Sequence, residues 1–265
     1  MRIWIAVVIF TGSITLAAQP VAVRQPEGEV HGFLVLRGEN GAIVAAGDSK
    51  QNARRGQIVT ELLYRFTDGS VSEETTVFTQ NGHFRLVSDH LVQKGPSFKH
   101  PLEMTVNTAS GAVTVIHTDD KGAPKTETTR MQLPPDLANG MVPVLLKNLA
   151  PGVQAITESM IVATPKPMLI KLQIHAEGAD GFTAGTARYK AIRYDVHVDI
   201  GGLKGAIAPI VGKEPPDTRV WISQGECPTF LKSEGPMSEG GPVCRTELVG
   251  PVWETTPPAT ARRKE

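Results

Sequence analysis

The strongest constraint on this chain is a two-residue alternation of apolar and polar side chains. In KAIRYDVHVDI, Ile192, Tyr194, Val196, Val198 and Ile200 fall on one face, while Arg193, Asp195, His197 and Asp199 fall on the other. MLIKLQIH sets Met168, Ile170, Leu172 and Ile174 against Lys171, Gln173 and His175. PLEMTVN sets Leu102, Met104 and Val106 against Glu103, Thr105 and Asn107. IVTELLYRF follows the same rule, with Ile58, Leu62, Tyr64 and Phe66 on one side. Strands with one dry and one wet face belong in an antiparallel sheet covered on one side only. Turn signals punctuate them at Asp68-Gly69, Asn81-Gly82, Ser110-Gly111, Lys121-Gly122 and Asp180-Gly181. Gly (26) and Pro (20) are plentiful enough to supply many such turns. The expectation is a mainly β domain over 30–250, of about 12 strands.

One segment breaks the alternation. In LPPDLANGMVPVLLKNLAPG, Asp136 follows two prolines as a helix N-cap, and Leu137, Met141, Leu145 and Leu149 recur every four residues. Gly140 and Pro143 weaken the helix, and Gly152 ends it. One short, kinked helix is expected, either as a plug in the sheet core or as a lid over a concave face.

The first residues, MRIWIAVVIFTGSITLAAQP, have the order of a secretory signal peptide over 1–18. Arg2 precedes an apolar run from Ile3 to Leu16, and small residues follow at Ala17 and Ala18. That run is short of the ~20 residues a membrane span needs. The expectation is an exported protein, periplasmic or extracellular, that is not an integral membrane protein after cleavage. Residues 19–29 read as an extended arm. The last stretch, 251–265, is polar and proline-containing and reads as a disordered tail.

Chemistry is harder to find. The 27 basic and 27 acidic residues balance, which gives no basic surface for nucleic acid. The only cysteines, Cys227 and Cys244, are 17 positions apart. The stretch between them holds no histidine for a metal, and the spacing is too wide for a redox pair. In an oxidising compartment they read as one disulfide across a hairpin, with two free thiols as the alternative. His197, flanked on its strand face by Asp195 and Asp199, is the best acid–base candidate, although such a trio is more often a solvated face. His117 and Asp120 stand in a tight turn without the ligand spacing of a calcium loop. No Gly-x-Ser-x-Gly elbow occurs. The run GGLKGAIAPIVGKEPPD fails as a phosphate loop, because Gly205 is misplaced and Glu214 stands where Ser or Thr is needed. There Ala206, Ile207, Ile210 and Val211 read as core. No catalytic residue, metal ligand or cofactor is assigned, and the chain does not read as an enzyme.

Several short motifs carry a resemblance. A proline–aspartate segment (Pro135, Asp136) precedes the helix, and YKAIRYDVHV and PPDTRVWIS follow. The pair Trp221-Ile222, then Pro228 and the turn Gly240-Gly241, lead into a last strand. This order resembles uncharacterised exported bacterial families of unknown function, over roughly residues 30–250. The resemblance implies a strongly curved antiparallel sheet, a half-barrel or open barrel, similar in fold to outer-membrane lipoprotein carriers. In those carriers a greasy concave face under short helices holds acyl chains. It carries no catalytic residues, and the cysteine pair is outside the pattern.

Two functions follow as expectations. The first is binding of an apolar or lipid-like ligand, a lipid or an acylated protein, on the concave face. Leu145 and Leu149 would belong to the lid, and Ile170 and Val196 to the sheet. The alternative is a structural or protein-interaction module of the cell envelope, with the helix packed in and no cavity.

Overall fold

The computed structural model describes residues 20–119, 122–164, 166–199 and 216–250, and the backbone of Val252–Trp253. The expected signal peptide over 1–18, the run 200–215 with its four apolar candidates, Asp120 and most of the C-terminal tail lie outside the described residues.

Alternation along the chain builds one open, curved antiparallel sheet. Its first half is a meander of hairpins: β1 (Val30–Arg37), β2 (Ile43–Arg54), β3 (Gln57–Phe66), β4 (Val71–Asn81) and β5 (His83–Lys94). It continues through β6 (Leu102–Asn107), β7 (Ala112–Thr118) and β8 (Pro124–Arg130). The helix α1 (Val142–Lys147) interrupts it. The second half comprises β9 (Ala155–Val162), β10 (Met168–Ala184), β11 (Ala187–Asp199) and β12 (Thr218–Ser223). It ends with β13 (Phe230–Pro236), β14 (Val243–Leu248) and β15 (Val252–Trp253).

The two halves join where β14 pairs with β1, Leu36 opposite Thr246. The order across the sheet is therefore β15-β10-β11-β12-β13-β14-β1-β2 and on to β8, with β9 also on β10. Fifteen strands form where about a dozen are expected, because short or polar strands such as β8, exposed along its whole length, show no alternation. The sheet does not close, and β8 is one free edge.

Turn chemistry is mostly as expected, with two exceptions. The β2–β3 hairpin turns on Arg55 (φ 50°) and Gly56 (φ 79°), both left-handed, as a two-residue turn matching strand twist requires. Asp180-Gly181 is not a turn. It lies inside β10, paired with Ala191 and Lys190, and the hairpin reverses at Gly185. Asp180 is held on the sheet because its carboxylate accepts hydrogen bonds from Trp221 Nε1 and Arg193.

The helix region corrects a second expectation. Asp136 is not an N-cap; α1 starts six residues later, with Met141 as N-cap and no side-chain cap. Pro143 sits in the first turn, where its missing N–H costs nothing. Residues 136–139 instead run beside the edge of β9, with Leu137 in a parallel bridge to Ser159. Ala138 N–H donates to the Ser159 carbonyl, Ser159 N–H donates to the Asp136 carbonyl, and the Asn139 amide exchanges two bonds with the Ile161 backbone.

This segment is a plug. Leu137, Met141, Val144, Leu145 and Leu146 are buried. They pack between Phe78, Phe84 and Met104 of one half-sheet and Ile161, Ile174 and Tyr194 of the other. At roughly 1.5–3 kcal/mol for each large side chain buried, the plug contributes on the order of 10 kcal/mol. A six-residue helix has almost no stability of its own. Packing, not propensity, makes α1.

The arm closes the same end. Val23 N–H donates to the Gly82 carbonyl, and Phe84 N–H to that of Val21. Asn148 Oδ1 accepts from the N–H groups of Arg24 and Gln25. Buried Glu27 accepts from Lys147 Nζ at 2.7 Å and from Gln51 Nε2.

Gly140 is the tightest point of the docking. Its φ is +62°, and a Cβ there would run into the Thr76 hydroxyl and stand 3.1 Å from Asp89 Oδ1. Gly140→Ala combines a strained backbone with a steric conflict at the plug. It should lower stability by about 3 kcal/mol in urea unfolding; a loss below ~0.5 kcal/mol would show that the plug is not rigidly seated.

Candidate functional site

The plug fills only one end of the curved sheet. Beyond the N-terminal turn of α1, the interior remains open as a cavity of about 740 Å³. Its floor is Asn139, Gly140, Val142 and Pro143 from the plug. One wall is Leu91 of β5 with Leu102 and Met104 of β6; the other is Ile170 and Leu172 of β10 with Val196 and Val198 of β11. The mouth carries Lys99 and His100 from the β5–β6 loop and Met237, Ser238 and Glu239 from the β13–β14 loop. The volume is that of a small-molecule site, and the walls are mostly aliphatic. A shallower, more open depression of about 330 Å³ lies on the ends of β1 and β2, around His31, Lys50 and Asn52.

Carboxyl groups interrupt the dry face. Glu74 on β4 lines the cavity. Asp89 on β5 is fully buried behind it; its Oδ1 accepts from the Thr76 hydroxyl at 2.8 Å, and its Oδ2 has no partner. Burial raises both carboxyls above the usual carboxylate range, and the charge of Asp89 adds to the rise at Glu74. Across the interior, Glu158 of β9 is 1% exposed with Oε1 unpartnered. Burial, and then the charge of Asp136, push Glu158 up to about 8, while Lys171 acts against the rise.

A serine–lysine pair stands nearby. Lys171 Nζ lies 2.7 Å from Ser159 Oγ and 3.1 Å from Asp136 Oδ2, and the serine hydroxyl donates to the same Asp136 oxygen. The spacing would suit nucleophilic chemistry, but Ser159 is 0% exposed. No substrate reaches it, and its bonds fasten residues 136–139 to the sheet.

The four residues expected at a ligand site separate. Ile170 and Val196 line the cavity. Leu145 is buried in the plug, and Leu149 packs at the edge of the core; neither reaches the void. The His197 trio lies on the outer face. His197 Nδ1 is 2.7 Å from Asp217, Asp199 accepts from Gln173, and Asp195 stands 3.9 Å from Arg219, which is a solvated strand face.

The cysteine staple is not formed: Cys227 and Cys244 are both free. Cys227 is in the loop before Phe230, whereas Cys244 pairs with Gly235 toward the far end of β13. Strand rise separates Phe230 from Gly235, the partner of Cys244, by roughly 16 Å along β13. Burial raises the Cys244 thiol, and Cys227 is exposed.

Glu74, Asp89 and Glu158 are not visible in the sequence as site residues. A bulge explains Asp89: Val77 pairs with Ser88 but Phe78 pairs with Leu86, so Val87 is skipped. Leu86 and Asp89 then share the inner face, against simple alternation. In SEETTVF only the even spacing of Glu74, Thr76 and Phe78 marks Glu74 as inward.

Among the described residues no group of three or more His, Cys, Asp or Glu side chains could hold a metal ion. No helix there is long and apolar enough to cross a membrane. No family model matches the chain, and no curated protein matches it. Among solved structures, a beta-barrel-like protein of domain of unknown function DUF1849 from Brucella abortus is similar, at 10% identity. The match covers 90% of this chain and 100% of that one, with a TM-score of 0.41.

Folded Glu158 holds its proton from its ordinary value near 4.5 up to about 8, whereas the unfolded chain releases it. Its contribution to stability therefore falls as pH rises through that window. Glu158→Gln should be on the order of 3 kcal/mol more stable than wild type at pH 9, yet nearly equal at pH 4, by urea unfolding at both pH values. Alkylation with iodoacetamide, without reductant, should modify Cys227 quickly and Cys244 slowly in the folded protein, and both once unfolded. An unfolded protein that resists alkylation would mean a bridged form exists.

Proposed function

We propose that this is an exported binding protein that holds an apolar, lipid-like ligand in the open end of its curved sheet. One observation carries the reading. The plug that completes the core stops short, leaving about 740 Å³ of mostly aliphatic space reachable from the mouth. A fold selected only for stability gains from filling such a void, since unfilled apolar space costs contacts. Pre-formed, concave, apolar sites with a few convergent polar groups are the usual architecture of small-molecule binding. A leader-like N-terminal sequence supports export.

The rival reading, an envelope module that only binds other proteins, draws on the tight plug. It requires a filled interior, and the cavity counts against it. The exposed His197–Asp217 pair stands on the outer strand face, away from the cavity.

Val198, partly buried in the cavity wall, offers a direct test. Nile red should bind the wild type saturably, with one site and a blue-shifted emission. Val198→Trp places a bulky ring in the cavity and should weaken binding by at least about tenfold while thermal unfolding stays cooperative. A wild type that shows no saturable binding of this dye or of single-chain lipids would sink the proposal.

A further inference from the structure

We propose that Glu74, backed by Asp89, makes this cavity a receptor for the cationic nitrogen head of a single-chain apolar amine. The inference rests on the apolar-ligand reading and adds the chemistry of the head group.

The argument begins with where the two acids stand. Glu74 pairs with Leu91 across β4 and β5, and Thr76 pairs with Asp89 two residues further in. Both carboxyls therefore project from the same inward face, one strand apart. Glu74 reaches the cavity. Asp89 lies directly behind the floor, against Gly140, itself a lining residue.

Among the described residues, neither acid has an ion-pair partner. Among the described residues Glu74 takes part in no ion pair or hydrogen bond, and Asp89 has one partner, the uncharged Thr76, leaving Oδ2 bare. Buried carboxylates are ordinarily paired. Tyr64 on neighbouring β3 feels the Glu74 charge, but its hydroxyl donates to Thr246 and brings no positive charge. His90, next to Asp89 in sequence, points to the outer face and is 2.9 Å from Glu103. Lys99 and His100 stand exposed at the mouth, where His100 acts on Glu239. Lys171 is engaged by Asp136 and Lys147 by Glu27. Among the described residues no cation reaches Glu74, and a cation in the cavity would meet Glu74 and touch the aliphatic walls together.

An ammonium group there would supply the missing counter-charge and donate up to three hydrogen bonds, while its alkyl chain lies along Ile170, Leu172 and Val196. An anionic head would find no counter-charge at Glu74 and would meet repulsion once either acid ionises. A neutral alcohol would gain the apolar contacts alone. Because burial makes both acids hold protons more tightly than usual, binding an ammonium should expel a proton, and affinity should rise with pH until it passes about 8, where Glu74 loses its proton unaided.

The experiment is calorimetric titration of the full chain with dodecylamine, dodecanol and dodecanoate at pH 7, in two buffers of different ionisation enthalpy. The expected result is binding of dodecylamine at least about tenfold tighter than dodecanol, weakest binding of dodecanoate, and proton release with the amine alone. Glu74→Gln should keep dodecanol binding and lose both the amine preference and the proton release. Equal affinity for amine and alcohol in the wild type, or a preference that survives Glu74→Gln, would overturn the amine proposal and leave the apolar site standing. Failure of all three ligands would overturn the apolar site itself.

Discussion

Everything in this molecule depends on burying one short segment inside an open sheet. An antiparallel sheet with one dry face must cover that face, and a sheet that curves without closing cannot do so alone. Residues 137–146 supply the cover from inside, with Leu137, Met141, Leu145 and Leu146 touching strands from both halves. The chain order makes this possible. The plug lies between β8 and β9, so each half-sheet reaches it from its own side. The N-terminal arm then fastens the plug from below through Asn148 and the Glu27–Lys147 ion pair.

The same segment defines the cavity by where it stops. Gly140 in left-handed conformation turns the chain against Thr76 and Asp89, and the helix leads away from that floor. Bulkier side chains at 139–143 would extend the plug toward the mouth. Two acids then remain on the dry face next to the void, and a third, Glu158, on the other side. Their raised proton affinities are a direct cost of that placement. Buried acids without a counter-charge lower stability near neutrality.

The sequence makes the sheet legible and the site nearly opaque. Alternation in 168–175 and 192–199 identifies β10 and β11 and their inward residues, and the glycine turns at 69, 82 and 111 mark hairpins. Leu145 shows the limit. Its spacing with Met141 and Leu149 gives a helix face, but nothing local tells whether that face plugs a core or caps a pocket. The cysteines show it again. Seventeen residues suit a hairpin staple, yet β13 lies between them and holds the thiols apart. Asp180 reads as a turn because aspartate before glycine usually is one; Trp221 and Arg193, distant in sequence, keep it in a strand.

The sequence by itself determined the secondary structure class, the antiparallel pairing and the single helical interruption, because periodicity and turn residues act over a few neighbours. Tertiary structure alone decided which acids face inward, how deep the plug sits and that a void remains. Side-chain parity is a local rule, and one skipped residue at Val87 reverses it for Asp89. A cavity belongs to no residue. It is the space left when curvature, plug length and wall side chains, set by distant parts of the chain, fail to meet.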